Sequence, residues 1–413
     1  MHNQYTDLLL DLPEVKAIQV LEIDERTIHI EVSPCSNTQA CPICRSKESV
    51  IRRGKNRMRK IRHRDAFDKT IYVLTPAIRM FCNDCQCGFV WQYAFVGAGK
   101  RYSHAFEKQA IRTATAATVK QSAEIHEMPA STLQTKHQQW LAAESARLQE
   151  RVWQDAAHTS NLVLGIDDFA IRKGHTYNTG IHNLRGETLL DILPGRTLEE
   201  LRAYARQHPE FLALRPRAVV MDLAPYYHTW IQECFPEAIR IADRFHVHRY
   251  VTEAVQAVRK TVQSTLSPRA KANLKAKHRL LNPPQASLPA QQQQQLKEIL
   301  SYSPLLQQAH AWKEAFSEWY DCSPDAKVAN IRLDDWLKQG ERLEHPAVSA
   351  CLKTIRNWRQ EIVNYHRCRW TNAAVEGKNN RMKAFQRRHY FTRNRVRYVQ
   401  GLLVECNRAR YCR

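Results

Sequence analysis

The 413-residue chain carries 62 Lys and Arg against 41 Asp and Glu, a net charge of +21, with ordinary apolar (43%) and charged (25%) fractions. That length holds about two or three domains with real cores, and the composition is that of a soluble globular protein and not of a disordered chain by default. No apolar run approaches the ~18 residues that a membrane span needs, so the excess charge points to a polyanionic partner and not to a bilayer.

The opening MHNQYTDLLLDLPEV lacks a basic n-region and a cleavage pattern, so no signal peptide is expected. A reducing cytoplasm follows, where the twelve cysteines act as metal ligands or buried thiols, not disulfides. Residues 1–96 hold short β-like runs (AIQVLEI, TIHIEV, TIYVLTPAIRMF) around clustered cysteines. CPIC and CNDC place Cys41, Cys44, Cys82 and Cys85 in two Cys-x2-Cys knuckles. Four thiolates suit a tetrahedral, structural Zn2+ that supports a domain with little core of its own. The 37-residue gap is longer than usual, CNDCQC offers Cys87 in place of Cys85, and buried free thiols are the alternative. Between the knuckles, residues 45–64 hold ten Lys/Arg and one acid. Arg52, Arg53, Lys55 and Arg57 are expected on a basic loop facing DNA.

Residues 103–157 read as helical. TVKQSAEIHEMPASTLQTKHQQWL has the form of a helix-turn-helix, with Ala130-Ser131-Thr132 opening the second helix where base edges are read. An ordinary helical hairpin has the same pattern. From Asn161 strands take over: LVLGIDDFAI, then HTYNTGIHN and ETLLDIL paired around LRGE. A helix (TLEELRAYARQHP), a strand (AVVMDL), a helix (APYYHTWIQECF) and a fifth strand (IRIAD) follow. Three sequential strands and then αβαβ imply a mixed sheet covered by helices. After Phe245 the chain is helical to its end. NPPQASLP breaks it, and QQQQQ (291–295) suits either a helix or an exposed spacer.

Asp167 and Asp222 are expected at the ends of two neighbouring parallel strands, the edge where open α/β sheets place their sites. Glu376 lies in TNAAVEGKNNRMKAFQRR, a helix starting near Thr371 or Asn372, with Val375, Met382 and Phe385 inward and Lys383 and Arg387 further along. Three carboxylates in a basic chain suit two Mg2+ ions about 4 Å apart that engage a phosphate. A helix cap is the alternative for Asp222. His246 and His248 look like a metal pair, but both are expected to be helix-start residues that face phosphate. Residues 366–413 add thirteen Lys/Arg against two acids.

LGIDDFAIRKGHTY, VVMDLAPYYHTWIQECFPEAIRIADRFHV and TNAAVEGKNNRMKAFQRR together resemble the DDE transposases of bacterial insertion sequences, specifically the ISL-three family. The resemblance implies a multidomain α+β chain. It would comprise a zinc ribbon (1–96), a helix-turn-helix (103–157), and a ribonuclease H-like mixed-sheet α/β domain (161–250 and 366–413) interrupted by a long all-helical insertion (251–365). It also implies Asp167, Asp222 and Glu376 as the catalytic triad holding Mg2+ or Mn2+, with Asp243 as the substitute and Asp168 turned away onto the following loop. Arg172, Lys173, Lys378, Lys383, Arg387 and Arg388 would contact DNA. The expected activity is cleavage and strand transfer at terminal inverted repeats of double-stranded DNA, by a homodimer or larger synaptic assembly at the bacterial nucleoid. The alternatives are a non-catalytic repressor descended from a transposase and a nuclease without strand transfer.

Overall fold

The computed structural model describes residues 4–172, 176–389 and 394–411; within them the side chains at 4, 5, 22, 56, 171, 172, 176 and 376 are not described. The chain divides into two units, Met1–Leu141 and Ala142–Arg413.

The first unit begins with α1 (Gln4–Leu10), β1 (Val15–Ile23), β2 (Thr27–Pro34), β3 (Val50–Arg62), β4 (Thr70–Cys82) and β5 (Cys87–Val90). The strands form one sheet in the order β1-β2-β4-β3, with β5 added to β4. In β4 the alternation Ile71, Val73, Thr75 faces the core and resumes at Ile78 and Met80. The basic stretch expected as a loop is instead strand β3. It pairs antiparallel with β4 from Val50↔Cys82 to Arg62↔Tyr72 through two register shifts. Of its described side chains only Val50, Ile61 and Arg62 are buried, because an edge strand can leave its charges in water and need show no apolar alternation. Arg52, Arg53, Lys55 and Arg57 are all exposed, and the Arg53 guanidinium stacks 3.7 Å over the Phe81 ring.

Three helices follow: α2 (His104–Ala116), α3 (Val119–Ile125) and α4 (Ala130–His158). Ser103 and Thr118 cap the first two by accepting from the Phe106 and Gln121 N–H groups. Phe106, Ala110, Ala114, Ala123, Met128 and Leu133 form their shared core. Small residues bring α2 and α3 close enough for Ser122 Oγ to donate to the Ala110 carbonyl at 2.7 Å.

The second unit holds β6 (Val163–Arg172), β7 (Thr176–Asn183), β8 (Thr188–Pro194), β9 (Ala218–Met221) and β10 (Ile239–Ala242), in the order β10-β9-β6-β7-β8. β6, β9 and β10 are parallel, and β7 and β8 are antiparallel, as three sequential strands require. Helices α5 (Leu198–Gln207), α6 (Pro209–Leu212) and α7 (Pro225–Cys234) cover one face, packing on Leu162, Leu164, Ile166, Val219 and Met221. A capping box at Thr197 and Glu200 starts α5.

The other face, Val163, Ala218, Val220 and Ile241, meets the helical half of the chain. That half comprises α8 (Arg244–Thr265), α9 (Pro268–Lys277), α10 (Ala290–Leu300), α11 (Pro304–Cys322), α12 (Ala326–Glu341), α13 (Pro346–Asn357), α14 (Arg359–Cys368), α15 (Ala373–Arg388) and α16 (Arg395–Tyr411). The glutamine run lies in α10. Trp312, Phe316, Trp319, Tyr320 and Trp336 fill the centre of the helical half. No helix among the described residues is long and apolar enough to cross a membrane.

Candidate active site

The pairing of the parallel strands puts three acids in one row. Ile166 pairs with Met221 and Met221 with Ala242, so Asp167, Asp222 and Asp243 each lie one residue beyond the last shared rung. Asp167 is not at the end of its strand, as expected, because β6 runs on to Arg172 against β7. It does mark the end of the parallel pairing, which is where a crevice opens. Asp222 caps no helix: α7 starts at Pro225 behind Ala224 and has no side-chain cap.

Helix α15 closes the row, and Asn372 is its anchor. Its N–H donates to Asp243 Oδ1 at 2.8 Å, and its Nδ2 donates to the Ile166 carbonyl at 3.1 Å. Gly165 permits this docking, since a Cβ there would sit 2.7 Å from Leu184, 2.8 Å from Asn372 Oδ1 and 3.1 Å from Val375. Two turns along, Asn379 Nδ2 donates to Asp167 Oδ2. Position 376 falls one turn from each of these asparagines on α15. The Glu376 side chain lies outside the described residues, as does that of Arg172, and Lys173 lies outside them altogether.

Strand alternation separates the paired acids. Asp167 shares the face of Val163 and meets α15. Asp168 turns to the opposite face, where Arg196 Nη1 donates to it at 2.7 Å. Arg196 belongs to the β8–α5 connection and not to the loop following β6, the loop first expected to hold Asp168.

His246 is the residue that local sequence context missed. Its Nε2 lies 3.2 Å from Asp222 Oδ1, and the ligand atoms of Asp167, Asp222 and His246 all fall within 4.8 Å of one another. The acids are 79 and 24 positions away in sequence, so only the strand row brings them to the histidine. The informative sign was DRFHV itself, which puts His246 in the first turn of the helix leaving the third acidic strand end. His248, expected like His246 to face phosphate, is half-buried against Phe316 and Tyr320 and lines the cleft beside these acids; burial followed by the Arg244 charge lowers it to about 4.

Burial, then the charges of Asp168 and Asp243, pushes Asp167 up to about 7. Burial, then Asp167, Asp243 and Asp168, pushes Asp222 up to about 9. Asp222 Oδ1 is buried and accepts no well-aligned hydrogen bond among the described residues. Crowded, desolvated carboxylates of this kind need protons or a cation to coexist. Two carboxylate oxygens and an imidazole nitrogen fit a divalent ion, with the nitrogen admitting transition ions more readily than Mg2+. Asp243 is engaged on one side: its Oδ1 accepts from the Asn372 N–H at 2.8 Å, which ties the start of α15 to this strand end, while it caps no N–H of α8.

A cleft of about 1010 Å³ extends from these acids along α8 to α11, with Arg249, Lys313 and Lys383 among its lining. Lys383 and Arg387 are exposed on α15. Lys378, expected at DNA, is instead turned into the interior, where burial lowers it to about 8. Arg388 is held by Glu405 at 2.7 Å.

In the first unit, the sulfurs of Cys41, Cys44, Cys82 and Cys85 lie within 4.8 Å of one another. Cys44 and Cys82 are 3.6 Å apart, close to the roughly 3.8 Å edge of a tetrahedron with ~2.3 Å Zn–S bonds. Cys87 is 3.8 Å from Cys41 and remains a competitor. Burial raises the Cys41 thiol, but the N–H groups of Cys44 and Ile43 outweigh it and bring it down to about 6. Cys85, hydrogen-bonded to Cys44, is pushed up to about 12. Four sulfurs gathered within 4.8 Å of one another fit a tetrahedral zinc ion.

A family model described as a transposase, of the ISL-three DDE type, matches residues 164–401. The transposase for insertion sequence element IS1001 of Bordetella parapertussis is 25% identical over 380 residues, 91% of each chain. The family match begins in β6, ends in α16 and takes in every acid of the strand row, so the chain belongs to the ISL-three family of DDE transposases.

Proposed function

We propose that this transposase cuts DNA at terminal inverted repeats and joins the freed ends to target DNA, with Asp167, Asp222 and Glu376 holding two divalent ions, Mg2+ or Mn2+. The observation that carries the reading is the meeting of Asp167, Asp222 and His246 within 4.8 Å at the edge of the parallel strands. When bound, the ions supply Lewis acidity at a phosphate and its leaving oxygen. Asn379 orients Asp167, His246 steadies Asp222 or joins it as a ligand, and Arg249 and Lys383 hold the polyanion in the cleft. Water cleaves one phosphodiester to leave a 3′-hydroxyl. That hydroxyl then attacks a target phosphorus in line and displaces a 3′-oxygen.

Residues 1–96, with their zinc, and 103–157 would bind the repeats, aided by Arg52, Arg53, Lys55 and Arg57. Residues 161–250 and 366–413 would form the ribonuclease H-like catalytic domain around the insertion at 251–365. Synapsis of two ends calls for a homodimer or larger assembly. Asp222→Ala tests the reading: strand transfer should vanish while inverted-repeat binding persists. A wild type that never cuts in Mg2+ or Mn2+ would leave a DNA-binding repressor instead.

A further inference from the structure

The insertion carries a charge pattern that the acid-bearing site does not use. From Ala254 to Lys297 the chain contains eight Lys/Arg and no Asp or Glu. Two of the eight are already engaged. Arg259 is buried against Gln256 and Gln263, and Lys277 pairs with Glu298 at 2.8 Å. Lys271, Lys275 and Arg279 are exposed and form no ion pair among the described residues. They recur every fourth residue along α9 and the single 3-10 turn that continues it, His278–Leu281. Fourfold spacing lines them up on one side, with roughly 6 Å between successive positions. Like charges arranged this way repel one another unless a counter-charge arrives from outside.

The row also leads somewhere. Asn282 and Pro284, just beyond Arg279, line the cleft that starts at the acids. The turn between them is fixed from within. Lys313 of α11, only 2% exposed, donates to the carbonyls of Leu281, Asn282 and Pro283 at 2.9, 3.2 and 2.8 Å. Gln256 of α8 donates to the His278 carbonyl at 2.9 Å and to Asn282 Oδ1 at 2.7 Å. Burying an ammonium is costly unless carbonyls surround it, and here they are the carbonyls that would otherwise be left open past a helix end. The outcome is that the turn ending the basic row is fixed beside the cleft lining.

We propose that Lys271, Lys275 and Arg279 form a track for the phosphate backbone of duplex DNA and feed it into the cleft. The track reads no sequence, because exposed Lys ammonium and Arg guanidinium groups on a helix flank contact phosphates and not base edges. The proposal rests on the cleft being a phosphoryl-transfer site.

The test uses full-length protein and a labelled duplex of random sequence, with affinity followed by fluorescence anisotropy across a KCl series. Replacing all three (Lys271→Ala, Lys275→Ala, Arg279→Ala) should lower the slope of log affinity against log salt by about 2.7 and weaken binding at least ~10-fold near ~0.1 M salt. Swapping the charges conservatively (Lys271→Arg, Lys275→Arg, Arg279→Lys) should restore the slope. Lys277→Ala, which removes a lysine paired with Glu298, should leave it unchanged. An unaltered slope in the triple alanine variant overturns the track. Wild-type cleavage in Mn2+ is scored alongside: cleavage with an unaltered slope defeats the track alone, and the expected slope change without cleavage defeats only the phosphoryl-transfer reading.

Discussion

Asp222 carries a carboxyl that burial and its three acidic neighbours make hard to ionise, and this has a measurable sign. Folded Asp167 and Asp222 hold their protons up to about 7 and about 9, whereas the unfolded groups release theirs near the ordinary 3.8. Between those values the folded state binds more protons than the unfolded one, so this contribution to stability declines as pH rises. In chelator, the melting temperature of wild type should therefore fall from about pH 5 to about pH 9 more steeply than that of Asp222→Asn. Mn2+ should raise wild-type melting more at about pH 8 than at about pH 5, since the ion displaces protons. Equal pH profiles for the two proteins in differential scanning fluorimetry would contradict the crowding of acids. His246→Ala should weaken Mn2+ binding by about 10- to 100-fold, read by isothermal titration calorimetry. Asp167 and Asp222 were legible as residues from the resemblance, but His246 was not. Its acidic neighbours arrive through strand register, which no local window of sequence contains.

Among the elements, α15 was readable from its apolar stripe and its start, and Val375 and Met382 are indeed buried. Its seating on the sheet depends on Gly165, whose missing side chain makes room for Asn372 and Val375. Gly165→Ala should cost about 1–3 kcal/mol by overpacking and reduce strand transfer far more than repeat binding. Thermal melting together with a strand-transfer assay reads both. Lys378 shows why charge alone misleads: sequence reasoning sends every lysine to water, yet helix phase turns this one inward. Strand β3 was missed for the opposite reason, since an edge strand of arginines and lysines shows no apolar alternation. In the cysteine cluster, metal analysis should find one zinc in wild type and in Cys87→Ser, and none in Cys41→Ser or Cys85→Ser. Retention of zinc by Cys85→Ser would transfer the fourth ligand to Cys87.

For the whole molecule, the net charge of +21 makes DNA affinity steeply dependent on salt, and a flat response in wild type would contradict a polyanionic partner. The order of strands and helices from β6 to α8, the cysteine knuckles, the break before Ala130 and the helical second half followed from sequence. Periodicity, glycine and proline punctuation and motif spacing are local properties that survive without a fold. What required tertiary structure was everything decided by contact between distant segments. The strand row brings Asp167, Asp222 and Asp243 to one edge. Asn372 ties Asp243 to β6, and His246 lands beside Asp222 while His248 packs on Phe316 and Tyr320 at the cleft wall. Lys313 secures the turn that follows Arg279 and reaches the cleft at Asn282 and Pro284. Sequence determined which chemical groups the chain owns and which local shapes they adopt. Burial and proximity, properties of pairs far apart along the chain, determined which of those groups share a site.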